Sequence, residues 1–160
     1  MFKLWRRFAS KPERSPREAA LRALECGSFL EAERGLAALL ELPGLPGHER
    51  AFLLNKRGVA LVALGDRDRA REQFLAALDI APRLPSALTN LGNLALEQGE
   101  IAHAVRYYET AIASDDGYAL AHLNIAAAYR KLGRIGDAVR SLRKAQRLEG
   151  RFDWKLSKRP

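Results

Sequence analysis

Small and large apolar residues recur along this chain with a period of 34 positions. A shift of the stretch 88–111 by 34 residues in either direction places small residues on small ones and, mostly, large apolar residues on large ones. The matched positions of the central stretch are Leu88, Leu91, Gly92, Ala95, Gly99, Ala104, Tyr108 and Ala111. A self-match at a fixed period of this length is typical of repeat architectures. We therefore expect successive copies of one structural unit.

Each unit predicts two helices. In the central unit they cover about residues 86–98 and 101–114, with Gly99 between them. Gly65 and Gly133 hold the same position in the flanking units, where a left-handed cap needs a residue without Cβ. One such pair of helices cannot bury its apolar face alone, so the core must come from stacking successive pairs.

The unit resembles the tetratricopeptide repeat (TPR). Residues 51–84 and 85–118 match its pattern closely, whereas 119–152 departs with His122 at a large apolar position and Ala126 in place of glycine. The matching residues of the first two units are Leu54, Gly58, Leu61, Ala70, Phe74, Pro82, Leu88, Leu91, Gly92, Ala104, Tyr108 and Ala111. The resemblance implies an all-α fold, a short right-handed α-solenoid of antiparallel helix pairs. It also implies a protein-interaction function without catalysis.

Residues 17–46 are interpreted as a degenerate N-terminal unit, in which Gly27 aligns with Gly65 at a spacing of 38 residues. The cluster 43–47 contains two prolines and two glycines and breaks regular structure. We expect the four additional positions to form a longer loop, with a hinge as the alternative.

The first residues form a basic, aromatic tail at 1–16. Phe2, Leu4, Trp5 and Phe8 lie among lysines and arginines, and no long apolar run follows, which excludes a signal peptide or membrane span in this stretch. Three interpretations remain open: a tail that is disordered or folds back on the first helices, an anchor at an anionic membrane surface through residues 1–18, or a partner-binding motif.

A basic C-terminal tail is assigned to residues 153–160. Phe152, Trp154 and Leu156 alternate with charged residues. We expect the segment beyond residue 147 to cover the exposed face of the last repeat, with a loose basic tail as the alternative.

The net charge of +8 is unevenly distributed. Residues 1–18 carry six basic and two acidic groups, residues 147–160 carry five and two, and residues 19–146 carry sixteen and fifteen. Within the repeats, 85–118 has one basic and five acidic residues, whereas 119–152 has eight and two. The basic unit could hold phosphates, but it lacks the interleaved aromatic residues of a single-strand platform, so a solvated helix surface is favoured over nucleic acid. Acidic and basic units side by side also permit head-to-tail self-association.

No combination of residues indicates catalysis, a cofactor or a metal. The three histidines, His48, His103 and His122, include no pair at the spacing of a zinc helix, and Cys26 has no second cysteine. Gly-rich phosphate loops and nucleophile elbows are absent from the sequence. We therefore predict that the protein is not an enzyme, and that Asp66 and Asp68 mark the start of a helix.

The family resemblance implies a concave groove lined by the first helix of each unit, which holds a peptide or an extended segment. By repeat position, the groove residues would be Asn55, Lys56, Val59, Asn90, Asn93, Glu97, Asn124, Ala127, Arg130 and Lys131. Asparagine amides can bind a peptide backbone with both a donor and an acceptor. Lys56, Arg130 and Lys131 could bind an acidic group or a C-terminal carboxylate. Asn55 stands where family members that clamp such a carboxylate usually carry lysine.

The predicted function is a cytoplasmic protein-interaction scaffold that binds a peptide segment of a protein partner in this groove. The alternatives are a peripheral binder of an anionic surface, membrane or nucleic acid, through the basic ends, and a self-assembling scaffold.

Overall fold

A computed structural model describes residues 15–156, with side chains up to residue 150. Eight helices and no strand occur within that range, and they form four antiparallel pairs. The helices are α1 (Pro16–Glu25), α2 (Phe29–Leu40), α3 (Gly47–Ala63), α4 (Arg67–Ile80), α5 (Pro85–Glu97), α6 (Ile101–Ser114), α7 (Ala119–Lys131) and α8 (Ile135–Leu156). The predicted all-α solenoid of helix pairs is confirmed.

The turn inside each pair is built on a glycine with positive φ. Gly99 has φ 80°. The following N–H, of Glu100, donates to the carbonyl oxygen of Ala95 at 2.9 Å, which closes the end of α5. Gly27, Gly65 and Gly133 also have positive φ. The chain therefore reverses direction in the same way in all four pairs.

Polar side chains cap the starts of α1 and α4. Ser15 and Glu18 form a capping box on α1. The carboxylate of Asp66 accepts a hydrogen bond from the N–H of Arg69 at 3.2 Å. The interpretation of Asp66 as a residue that starts α4 is confirmed.

The core lies between successive pairs. Tyr108 of α6 is fully buried against Ile125, Ala128 and Tyr129 of α7. Phe74 of α4 is buried in the same way beneath α5. Phe74 and Tyr108 are thus each buried under the first helix of the following pair.

The first helices lie on the inner side of the stack. α3 contacts α5, and α5 contacts α7, whereas in the described part of the chain no comparable contact joins α4 to α6 or α6 to α8. Helices on the inside of a curved stack approach one another more closely than those on the outside. The exposed sides of α3, α5 and α7 are called the first-helix face below.

The four additional residues of the first unit lengthen a helix more than a loop. α3 has 17 residues and α5 has 13. The loop 41–46 has only two residues more than the loop 81–84. The expectation that the whole insertion forms a longer loop is therefore wrong, because Gly47 and the residues after it form an extra turn of α3.

The C-terminal segment continues the last helix. α8 has 22 residues, against 14 for α4 and for α6, and it passes Gly150 without a break. Residues 147–156 continue in α8, and the expected cover of the exposed face by the segment beyond residue 147 stays a prediction, because side chains are described only up to residue 150. Residues 153–156, assigned from the sequence to a tail, belong to α8.

Of the predicted N-terminal tail, 1–16, residues 1–14 lie outside the described residues, whereas Ser15 caps α1 and Pro16 begins it. Of the helices from residue 15 to 156, none combines the length and apolar character required to cross a membrane.

Candidate interaction site on the first helices

Nine of the ten predicted groove residues reach the surface of the first helices. Lys56, Val59, Asn90, Asn93, Asn124 and Ala127 are partly buried, and Glu97, Arg130 and Lys131 are exposed. They are spread over α3, α5 and α7, so the first-helix face spans three of the four pairs.

Asn55 does not belong to this face. Its side chain is on α3 and the residue is only 4% exposed. Its Oδ1 accepts from Asn90 Nδ2 at 2.9 Å, and its Nδ2 donates to Ser86 Oγ at 3.2 Å. The same repeat position holds Thr89 in α5, which is fully buried. The assignment of Asn55 to the groove is corrected: it is an internal contact between α3 and α5.

Asparagines link the first helices across the pairs. Asn90 of α5 binds Asn55 of α3 as described above. Asn124 Nδ2 of α7 donates to Asn93 Oδ1 of α5 at 2.8 Å, and the hydroxyl of Tyr108 donates to the same oxygen at 2.8 Å. These bonds fix the orientation of each side-chain amide relative to the neighbouring helix.

Three amide atoms remain after these bonds are formed. Asn90 and Asn124 keep Oδ1, and Asn93 keeps Nδ2, without a hydrogen-bond partner among the described side chains and backbone. Two acceptors and one donor are therefore left outside the internal network. A peptide backbone presents N–H and C=O groups, which are complementary to this set.

Charged side chains flank the asparagines. Lys56 Nζ lies 5.4 Å from the centroid of the Phe52 ring, and Glu97 binds Arg67 Nε at 2.9 Å. Arg130 and Lys131 form no ion pair with any carboxylate of the described residues. The α7 end of the first-helix face is therefore cationic.

A polar cluster at the start of α7 was not foreseen. His122 is buried, with Nε2 3.1 Å from the backbone oxygen of Asp116 and 3.4 Å from its Oδ1. Asp116 also binds Lys144 of α8. The hydrogen bond from Lys144 is the main reason that the pKa of Asp116 is lowered. Because this repeat position is normally occupied by a large apolar residue, the sequence did not indicate that His122 makes polar contacts.

Two buried tyrosines of this region stay protonated over a wide pH range. Burial raises the pKa of Tyr108 far above its usual value, and the nearby Glu97 adds to this. Burial and the hydrogen bond to Glu109 raise the pKa of Tyr129. Tyr108 therefore remains a donor to Asn93.

Over the described residues, no group of three or more histidine, cysteine or acidic side chains could hold a metal.

Comparison with known proteins agrees with the repeat assignment. The tetratricopeptide repeat family matches residues 55–108 and 89–151, which together span more than half of the chain. Among solved structures, the crystal structure of MamA aligns with a TM-score of 0.70 at 21% identity, covering 86% of this chain and 78% of that chain. The MamA RS-1 ArsTM double mutant and MamA 41-end from Desulfovibrio magneticus RS-1 each align with a TM-score of 0.66 at 25% identity, covering 84% of this chain and 74% of theirs.

The MamA structures share the fold of stacked helix pairs, and the repeat family covers the three helix pairs that contain the first-helix face. With the period of 34 residues, the glycine turns and the buried Phe74 and Tyr108, these findings lead to one conclusion: this chain belongs to the tetratricopeptide repeat family.

Proposed function

We propose that this protein is an interaction scaffold that binds an extended peptide segment of a protein partner along the first-helix face. Membership of the repeat family supports a protein-interaction scaffold in general. Family membership does not specify an extended peptide as the ligand or its position along the first-helix face, and the following observations support both.

The unpartnered amide atoms of Asn90, Asn93 and Asn124 carry the proposal. They belong to two successive first helices, and internal hydrogen bonds hold each amide in one orientation. A peptide laid across α5 and α7 would find acceptors for its N–H groups and a donor for a C=O group. Because the amides are already ordered, little conformational entropy is lost on binding.

The charges near Asn124 favour a particular peptide. Arg130 and Lys131 are exposed at the same end of the face and have no carboxylate partner among residues 15–150. An acidic side chain or a terminal carboxylate of the bound segment would form charge-assisted hydrogen bonds there. We therefore expect an acidic residue or chain end of the peptide to lie over α7.

Selection of random linear peptides displayed on phage, with the full-length protein as bait, tests this proposal. Selected peptides are then synthesised and titrated against the wild type and the Asn90→Ala/Asn124→Ala variant. The matched control is His103→Ala/Thr110→Ala, which removes two polar side chains from α6 instead. We expect the asparagine variant to bind about tenfold more weakly or worse, with the control unchanged.

Salt dependence separates this proposal from binding through the basic ends. The hydrogen bonds to the peptide backbone should be insensitive to salt, so only the single acidic contact over α7 should weaken and the Kd should rise by about tenfold or less between low and high salt. Equal affinity of wild type and asparagine variant, or failure to select any peptide, contradicts the proposal.

A further inference from the structure

The outer side of the last helix pair is apolar and open. We call it the terminal face: Leu123 of α7 and Ile135, Val139 and Leu142 of α8, which are 42%, 57%, 42% and 41% exposed. Together with Ala127 and Arg130 they line a cavity of about 350 Å³.

The terminal face has the form of an interface between pairs. Leu142 holds the repeat position of Phe74 and Tyr108, both fully buried, and Val139 holds that of Val105, which is 7% exposed. In the inner pairs, the first helix of the next pair covers these positions. On α5 and α6 that helix is α7, which inserts Ile125, Ala128 and Tyr129. The shape that fits the terminal face is therefore a helix with an apolar stripe.

Basic side chains lie at the cavity of the terminal face and farther along α8. Arg130 lines the cavity, and Arg140, Arg143 and Arg147 line a second cleft farther along α8. Arg140 binds Asp137, whereas Arg143 and Arg147 have no carboxylate partner within the described part of the chain. A helix that covers this face would gain from carboxylates beside its apolar stripe.

We propose that the terminal face binds an amphipathic helix of a protein partner, with an apolar stripe in the cavity and acidic residues against Arg130, Arg143 and Arg147. The site is separate from the extended-peptide contacts of α5, although Asn124, Ala127 and Arg130 border both. The helix would extend the solenoid by supplying the first helix of a further pair.

A second copy of this chain fits the terminal face poorly. Two terminal faces related by a two-fold axis would bring Arg143 and Arg147 near the same residues of the other copy. In a head-to-tail arrangement α1 would take the place of the missing helix. Alignment of the turn glycines then puts Ala19 and Arg22, both exposed, where α7 has Ile125 and Ala128. That helix offers little apolar area at these two positions, and its two arginines and two glutamates give it no net negative charge for the arginines of the terminal face.

Two designed helical peptides test the proposal. Both carry leucine at i, i+3, i+4 and i+7; one has glutamate and its twin has lysine at the flanking positions. Fluorescence anisotropy with the full-length protein should give an affinity at least about tenfold higher for the acidic peptide. Leu142→Gln should weaken this binding by about tenfold, because its side chain would be buried under the helix. The control Leu75→Gln, at a 44% exposed leucine of α4, should have no effect.

Charge reversal provides a second test that does not touch the apolar residues. Arg143→Glu/Arg147→Glu should prefer the lysine peptide. Asn90→Ala, which should weaken the selected extended peptides, should leave the helical peptide bound as tightly as before, so the two proposals can fail separately.

Three results would overturn the proposal: equal binding of the two peptides, binding of neither, or a wild-type dimer by sedimentation that Leu142→Gln converts to a monomer. The last result would assign the terminal face to self-association.

Discussion

Gly92 of α5 lies directly against the ring of Tyr108 of α6: a Cβ built on Gly92 would be 2.4 Å from Cε1 of the tyrosine. Gly58 and Phe74 have the same relationship in the preceding pair, also at 2.4 Å. The close approach of two helices, with a large ring filling the adjacent space, is thus repeated with the period of the sequence.

Gly92→Ala should destabilise the protein by about 1–3 kcal/mol, because the new methyl group must displace a fully buried ring. Chemical denaturation followed by circular dichroism measures this change. Gly150→Ala is the control: it is also in a helix, but its added Cβ meets no atom within 4 Å. There the substitution should be neutral or stabilise by up to about 1 kcal/mol. Equal effects of the two substitutions would contradict the packing argument.

Tyr108 should make stability sensitive to alkaline pH. Its pKa in the folded protein is raised by burial, so folding favours the neutral phenol. This contribution is complete below the unfolded pKa of about 10 and is lost as the pH rises above it toward the folded pKa. We expect the free energy of unfolding to fall as the pH rises above about 10, and to fall less in Tyr108→Phe.

At neutral pH the same Tyr108→Phe variant should lose about 0.5–1.5 kcal/mol, because the hydrogen bond to Asn93 is removed while the ring still fills its space. Urea unfolding of wild type and variant at neutral pH measures the lost hydrogen bond, and the same measurement at alkaline pH measures the difference in pH dependence. The same alkaline loss in Tyr108→Phe as in the wild type would show that other groups cause it.

Asn55 should contribute to stability directly and to peptide binding only through its hydrogen bond to Asn90. Asn55→Ala leaves Asn90 Nδ2 and Ser86 Oγ without their partner, at a cost of about 1–3 kcal/mol. Its affinity for the peptides selected on the wild type should fall by less than that of the Asn90→Ala/Asn124→Ala variant, since the 4% exposed Asn55 acts on the peptide only by ordering Asn90. A large loss of affinity with unchanged stability would return Asn55 to the binding site.

Glu33 should hold the first pair to the second. Its Oε1 accepts from Arg57 Nη2 at 2.7 Å and from Arg69 Nη2 at 3.1 Å, and its side chain is 12% exposed. Glu33→Ala should destabilise by about 1.5–3 kcal/mol and increase hydrogen exchange in α1 and α2.

The matched control for this contact is Glu31→Ala, at an exposed position of the same helix, with an expected change within about 0.5 kcal/mol. If hydrogen exchange in Glu33→Ala rises equally in all four helix pairs, the substitution lowers the stability of the whole protein and Glu33 makes no specific contact that joins α2 to α3.

The sequence alone determined the helix pairs and the residues that fill them. Three local requirements recur with the period of the repeat: a glycine at each turn, a small residue at position 58 or 92, and a large residue at position 74 or 108. They depend on the residue types at fixed spacings, so the period was sufficient to predict the all-α solenoid and the approximate bounds of its helices.

The tertiary structure decided what depends on contacts between pairs. Asn55, Thr89 and Leu123 share one repeat position, yet the first two are buried and Leu123 is 42% exposed, because no further pair follows α8 in the described structure. The hydrogen bonds between asparagine side chains join residues that are 31 and 35 positions apart in the sequence. Their geometry depends on how neighbouring first helices are rotated relative to each other. α8 continues past Gly150, whose φ is not positive, unlike that of Gly133 at the preceding turn. The free amides and the open terminal face, which carry the two proposals, therefore became visible only in three dimensions.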